Sequence, residues 1–145
     1  MATQAPNMDY TTRGYRNNNP LNIRFNKAND WDGKLLPNTD GVFEQFKDMK
    51  YGYRAAYILI RNHVRKGAKT IAELISVWAP TNENDTTNYI NTVCNLTGYM
   101  PGDIIDPNDS EQMQNLVAAM SQFENGISIP VPMDAVYEGW ELYKS

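Results

Sequence analysis

Beyond residue 48 the apolar residues recur at helical spacing. Between Met49 and Lys66, the side chains of Tyr53, Tyr57, Ile60 and Val64 share one face, and Gly67 suits the position past a helix end. In "TIAELISVWAP", Ile71, Leu74, Ile75 and Trp78 fall at i, i+3, i+4 and i+7. Thr70 and Glu73 have the spacing of a capping box, and Pro80 marks the stop. "NDTTNYINTVCNLTG" predicts a third helix, with Asn84 or Asp85 as its N-cap, Gly98 as its stop, and Tyr89, Ile90 and Val93 facing inward. A fourth covers "SEQMQNLVAAMSQFE", closed by Gly126, and a last one runs from about Met133 to Tyr143.

Ahead of these helices the pattern is different. From Arg13 to about Phe46 the chain is rich in Asn, Gly, Asp and Pro, with short apolar pieces between them. "LNIRF" and "GVFEQF" read as short strands, and "NKANDWDGKLLPNTD" as a turn-rich connection. The expectation is a small antiparallel β-element followed by four or five helices, an α+β layout that is mostly helical. Residues 1–12 read as a polar leader and residues 13–145 as one domain.

Charge and composition narrow the chemistry. With 13 Lys and Arg against 17 Asp and Glu, the net charge is −4, which argues against a nucleic-acid partner. The single cysteine, Cys94, has no intramolecular partner, and His63 is the one histidine, so neither a zinc cluster nor a histidine-rich triad is expected. No metal and no cofactor are predicted. No apolar run approaches membrane-spanning length, and "MATQAPNMDYTTRGYRNNN" lacks the apolar segment of a signal peptide, so the expectation is a protein made in a cytoplasm. Arg61, Arg65, Lys66 and Lys69 form a basic strip, read either as a solvated face or as a contact for an anionic wall polymer; His63, between two arginines, reads as a surface residue.

One carboxylate stands out by its phase. On the fourth helix the apolar stripe is Met113, Leu116, Val117 and Met120, and the same spacing lands next on Glu124, in the last turn before Gly126. Partial burial and the negative end of the helix both disfavour its charged form. A glutamate that keeps its proton near neutral pH can serve as general acid in glycosidic cleavage. The alternative is a helix that frays at residue 123 and leaves Glu124 in water. Asn17, Asn19 and Asn22, in "RNNNPLNI", supply turn geometry and amide groups suited to N-acetylated sugars, or else a purely structural turn.

The pieces "RGYRNNNPLNIRF", "DWDG", "VFEQFKDMKYGYRA", "TIAELISVWAPTNENDTTNYINTV" and "AAMSQFENG", in that order over about residues 12–126, resemble a family of phage and prophage lysozyme-like proteins, often labelled virion structural proteins. Tyr15 stands where that family usually has Ile. The Asn-rich segment is also similar to that of bacterial cell-wall glucosaminidases and flagellar muramidases, where a helix ending in a catalytic Glu precedes it. Here the first Glu is Glu44, and the two patterns agree if the catalytic helix has moved to the C-terminal side, as in a circular permutation. The resemblance implies a lysozyme-like fold acting on peptidoglycan glycan strands, with Glu124 as acid and the segment from Trp78 to Tyr89 across a cleft from it. Glu83 and Asp85, at a helix N-terminus that favours ionised carboxylates, are candidates for a second catalytic carboxylate, Asp85 otherwise being a cap.

Glu44, Thr86 and Asn125 complete the polar sugar contacts, and Trp31, Trp78 and Tyr89 are candidate stacking platforms. Trp78 lies on an apolar stripe and fits the core as well; Trp31, in a polar loop, is the better platform. A monomer is expected, delivered to the wall from a host cytoplasm or with a virion, in the latter case alongside other virion proteins. The rival reading is a non-catalytic virion structural or sugar-binding protein on the same fold.

Overall fold

A computed structural model describes residues 11–79 and 83–145; the side chains of residues 83 and 84 fall outside the description, as do most of the polar leader and Pro80. Six helices are present among the described residues: α1 Arg13–Arg16, α2 Met49–Arg65, α3 Ile71–Trp78, α4 Glu83–Thr97, α5 Ser110–Asn125 and α6 Met133–Lys144.

The helix ends follow local chemistry. Asp48 caps α2 by accepting from the Lys50 N–H. At α3, the Thr70 hydroxyl accepts from the Glu73 N–H while the Glu73 carboxylate accepts from the Thr70 N–H, the reciprocal pair that the spacing predicts. Asp109 caps α5 through the Gln112 N–H, and Gly126, at φ 127°, ends it. The start of α4 differs from expectation. The helix begins at Glu83, so Asp85 occupies its first turn and is not its N-cap.

The apolar stripes meet in one core. Tyr53, Tyr57 and Ile60 of α2, Ile71, Leu74 and Ile75 of α3, Val93 of α4 and Met113, Leu116, Val117 and Met120 of α5 are all fully buried. Helix α6 lies along α2, where the Tyr57 hydroxyl donates to the Val136 carbonyl at 3.0 Å and the Tyr57 ring meets Trp140 edge-on at 5.2 Å. Helix α4 lies along α5, with Tyr89 stacked on Phe123 at 4.0 Å.

The predicted β-element does not form, and the α+β assignment is corrected to an all-helical one: no strand occurs among the described residues. The N-terminal segment holds only isolated antiparallel bridges, Arg24 with Phe43 and Lys34 with Phe46. The reason lies in its polar side chains. Around the first bridge two backbone bonds form, Phe25 N–H to Val42 C=O and Glu44 N–H to Ile23 C=O. Their return bonds are replaced. The Asn19 carboxamide inserts between Ile23 and Glu44, accepting from the Ile23 N–H at 3.0 Å and donating to the Glu44 carbonyl at 3.0 Å. On the other side, the Val42 N–H turns to the Asp40 carboxylate at 3.1 Å. Side chains that bond locally to the backbone compete with a ladder, and here they reduce it to a single rung. "RGYR", at the head of the same segment, forms the short helix α1 instead.

Candidate active site

Helix α5 delivers Glu124 to the protein's N-terminal loop. The Glu124 carboxylate accepts from the Asn22 amide on Oε1 at 2.9 Å and from the Tyr89 hydroxyl on Oε2 at 3.0 Å. Asn22 is 102 residues away in sequence, so tertiary packing alone makes that contact. Asn22 adopts a left-handed backbone, φ 53°, which asparagine tolerates better than most residues and which aims its amide at α5. Tyr89 is buried, and its stacking on Phe123 fixes the ring that carries the donor. Both oxygens of the carboxylate are thus oriented.

Glu124 is half-buried at the edge of a groove of about 310 Å³. One wall is the loop of Leu21, Asn22 and Arg24; the other is built by His63 of α2 and Trp78 of α3. Among the described residues, Glu124 is the one carboxylate lining this groove. Burial raises its pKa above the ordinary glutamate value, and the hydrogen bonds from Asn22 and Tyr89 offset part of that rise. A carboxyl in such a setting holds its proton to higher pH than an exposed glutamate and releases it as an anion that two donors stabilise. Burial followed by the charge of Lys66 holds the pKa of His63 below the usual imidazole value.

Asn125, the next residue of α5, secures this geometry. Its Oδ1 accepts from the Thr12 hydroxyl at 2.8 Å and the Tyr15 N–H at 3.2 Å, while its Nδ2 donates to the Pro20 carbonyl at 2.8 Å and the Ser121 carbonyl at 2.9 Å. It clamps α1 and the Asn-rich loop onto the end of α5. Gly14 is what lets them approach: a Cβ there would meet Asn125 Oδ1 at 2.6 Å.

The structure brings three of the residues singled out in the sequence to the groove lining, Asn22, Trp78 and Glu124; Tyr89 reaches Glu124 from the core side and is too deeply buried to offer its ring to a sugar. Asn125 sits beneath the groove as the clamp described above, and the other candidates with described side chains lie elsewhere. Asn17 is buried, donating to Asp40 and accepting from Gln45, and Asn19 is fully buried in the bridge. Glu44 is fully buried against Lys34 at 3.1 Å and accepts from the Asn26 N–H. Trp31 packs its half-buried ring against the core and does not line the groove. Thr86 donates to the Ala79 carbonyl at 3.2 Å, and Asp85 is exposed on α4 away from the groove lining. The Glu83 side chain lies outside the described residues. His63 is the groove residue that the sequence reading set on the surface. It stands edge-on to Trp78 with ring centroids 6.1 Å apart. The usable signal was its spacing from Leu59, four residues earlier, which lines the same groove.

No described helix is long and apolar enough to cross a membrane, and no cluster of three metal-ligating side chains occurs among the described residues. No family model matches the sequence. The chain is 40% identical over 132 residues to protein P5 of Pseudoalteromonas phage PM2, an alignment that spans 89% of this chain and 80% of that protein. Identity at that level and over that length is shared ancestry, and the chain belongs to the family of the bacteriophage PM2 protein P5.

Proposed function

We propose that the protein is a peptidoglycan-degrading glycosidase that cleaves the bond between N-acetylmuramic acid and N-acetylglucosamine, with Glu124 as general acid. The observation that carries this reading is a half-buried carboxyl at the edge of a groove, oriented on both oxygens by Asn22 and Tyr89 and pushed towards its protonated form by burial. Glu124 gives its proton to the glycosidic oxygen as the bond to the anomeric carbon breaks. The sugar cation that develops is then captured by water, leaving a reducing end, or by the muramic acid 6-hydroxyl, leaving a 1,6-anhydro end and returning a proton. Internal capture needs a single acid, which agrees with a groove lined by one described carboxylate. Membership in a phage protein family fits a protein that must open a bacterial wall, released in a host or carried by a particle.

The same single carboxylate also favours a second reading, a virion component that binds wall glycan without cutting it. Incubating the purified protein with isolated peptidoglycan and analysing the soluble products by mass spectrometry separates the two. Disaccharide fragments support the enzyme, and their end groups name the reaction. Retention on the wall with no fragment released supports the binding protein.

A further inference from the structure

Breaking a glycosidic bond with water moves two protons. Glu124 gives one to the leaving oxygen. The other leaves the attacking water and needs an acceptor. The groove has no second carboxylate for that task among the described residues, but it has an imidazole. His63, the one histidine of the chain, is half-buried in the last turn of α2 and forms a groove wall with Trp78. Glu124 is tied through Asn22 to the facing wall, the loop of Leu21, Asn22 and Arg24. The two walls meet where the Trp78 indole N–H donates to the Leu21 carbonyl at 3.4 Å. A sugar bond held in this groove therefore lies between a carboxyl on one side and an imidazole on the other.

The ring of His63 is placed but not consumed. It stands edge-on to Trp78 at 6.1 Å, and among the described residues no protein group hydrogen-bonds either ring nitrogen. On its other side His63 lines an open recess between the end of α2 and α3, so solvent reaches the ring from behind the groove. The charged groups that share its two cavities are Arg24 and Glu124 in the groove and Glu73 and Lys66 in the recess. Arg61 and Arg65 of α2 are turned to Tyr143 instead. Arg24 and Lys66 disfavour an imidazolium, whereas Glu73 and ionised Glu124 favour it. Burial first, and then Lys66, keep the imidazole neutral to lower pH than usual, so at neutral pH it has a lone pair to offer.

We propose that His63 is the general base of this site, taking the proton of a water that attacks the anomeric carbon while Glu124 protonates the leaving oxygen. The step rests on the glycosidase reading and selects water over internal capture by the 6-hydroxyl. The bond from the anomeric carbon to the leaving oxygen breaks and that oxygen takes the Glu124 proton. A new bond forms from the anomeric carbon to the water oxygen, whose proton passes to a nitrogen of His63. The site is left with a carboxylate and an imidazolium. The imidazolium returns its proton to solvent through the recess, and Glu124 regains one from solvent once the product leaves. Histidine is the commonest side chain in this role.

The test compares wild type, His63→Gln and His63→Ala on purified peptidoglycan, with melting curves to verify the fold and mass spectrometry to read the fragments. Wild type should release fragments with reducing ends, and both variants should release them at least ~10²-fold more slowly. Added imidazole should raise the rate of His63→Ala at least about fivefold, and more as pH rises and the added base becomes neutral, a recovery that a merely structural role for His63 would not give. Should the variants fail to fold, diethyl pyrocarbonate on folded wild type reads the same residue, because the chain has one histidine: release should stop and return with hydroxylamine. Folded variants within about threefold of wild type, a loss that imidazole does not relieve, or acylated protein that still cuts overturns His63 as base and leaves Glu124 as acid. Fragments from wild type with 1,6-anhydro ends do the same. No fragment from wild type overturns the glycosidase, and the role of His63 with it.

Discussion

Replacing Asn125 by alanine should be among the most damaging single changes outside the apolar core. The side chain is buried and makes four hydrogen bonds, to the Thr12 hydroxyl, the Tyr15 N–H and the Pro20 and Ser121 carbonyls. Ser121 is one turn earlier on α5 and Thr12 is a side chain that can turn towards water, so each contributes little beyond about 1 kcal/mol. The Tyr15 N–H and the Pro20 carbonyl belong to backbone fixed against α5 and are left without this partner. Each such buried group costs ~1–3 kcal/mol, so the total loss is about 3–5 kcal/mol. Urea unfolding of wild type and variant, followed by circular dichroism, reads that loss as a lower midpoint at unchanged slope. Asn125→Asp is the informative companion. It keeps the acceptor for Tyr15 but turns the donor to Pro20 and Ser121 into an oxygen facing two carbonyls, so it should lose as much stability and recover part of it on acidification, when the carboxyl can donate. A loss below about 1 kcal/mol for Asn125→Ala would refute the clamp and with it the account of how Glu124 meets the Asn-rich loop.

Three further outcomes follow from the same geometry. Because the folded-state pKa of Glu124 is raised, the folded protein holds that proton to higher pH than the unfolded chain, so its contribution is fully present below the unfolded pKa of about 4.3 and is lost as pH rises through the folded value. Glu124→Gln, which can still accept from Asn22, should therefore melt above wild type at neutral pH, with the difference vanishing near pH 4; a lower melting temperature at both pH values contradicts the raised pKa. Tyr89→Phe removes a donor that favours the anion, so the alkaline limb of the pH–rate profile should move to higher pH, and a move to lower pH would refute the role given to Tyr89. Gly14→Ala places a methyl 2.6 Å from Asn125 Oδ1 and 3.1 Å from both the Asn19 carbonyl and Asn22 Oδ1, and should cost ~1–3 kcal/mol in urea unfolding, whereas a stabilised variant would show that α1 yields freely.

The helical part of this protein was legible because burial follows period there. The stripes of α2, α3 and α5 entered the core as spaced, and the stripe of α5 carried Glu124 to the groove. The Asn-rich segment was legible in composition and illegible in detail. An asparagine side chain can serve a ligand or a backbone, and nothing local says which. Asn22 went to Glu124, whereas Asn19 and Asn125 were consumed by backbone groups of loops that had no ladder to satisfy them. The same bonding abolished the expected strands, a competition invisible to a pattern of alternating residues. Glu44, read from sequence as a sugar contact, is buried on the same side as Phe46, and the ammonium of Lys34, ten residues earlier, meets it there. His63 was misplaced because its neighbours Arg61 and Arg65 set the reading, while its own direction follows Leu59.

The central claim is that Glu124 supplies the proton that breaks the glycan, and one measurement meets it directly. Wild-type protein and Glu124→Gln, both verified as folded, are incubated with purified peptidoglycan and the released fragments are quantified by mass spectrometry. The account predicts disaccharide fragments from wild type and at least a ~10²-fold lower rate from the variant, the loss expected on removing a general acid. Fragment release by Glu124→Gln at more than about a tenth of the wild-type rate, or none from wild type, would contradict it.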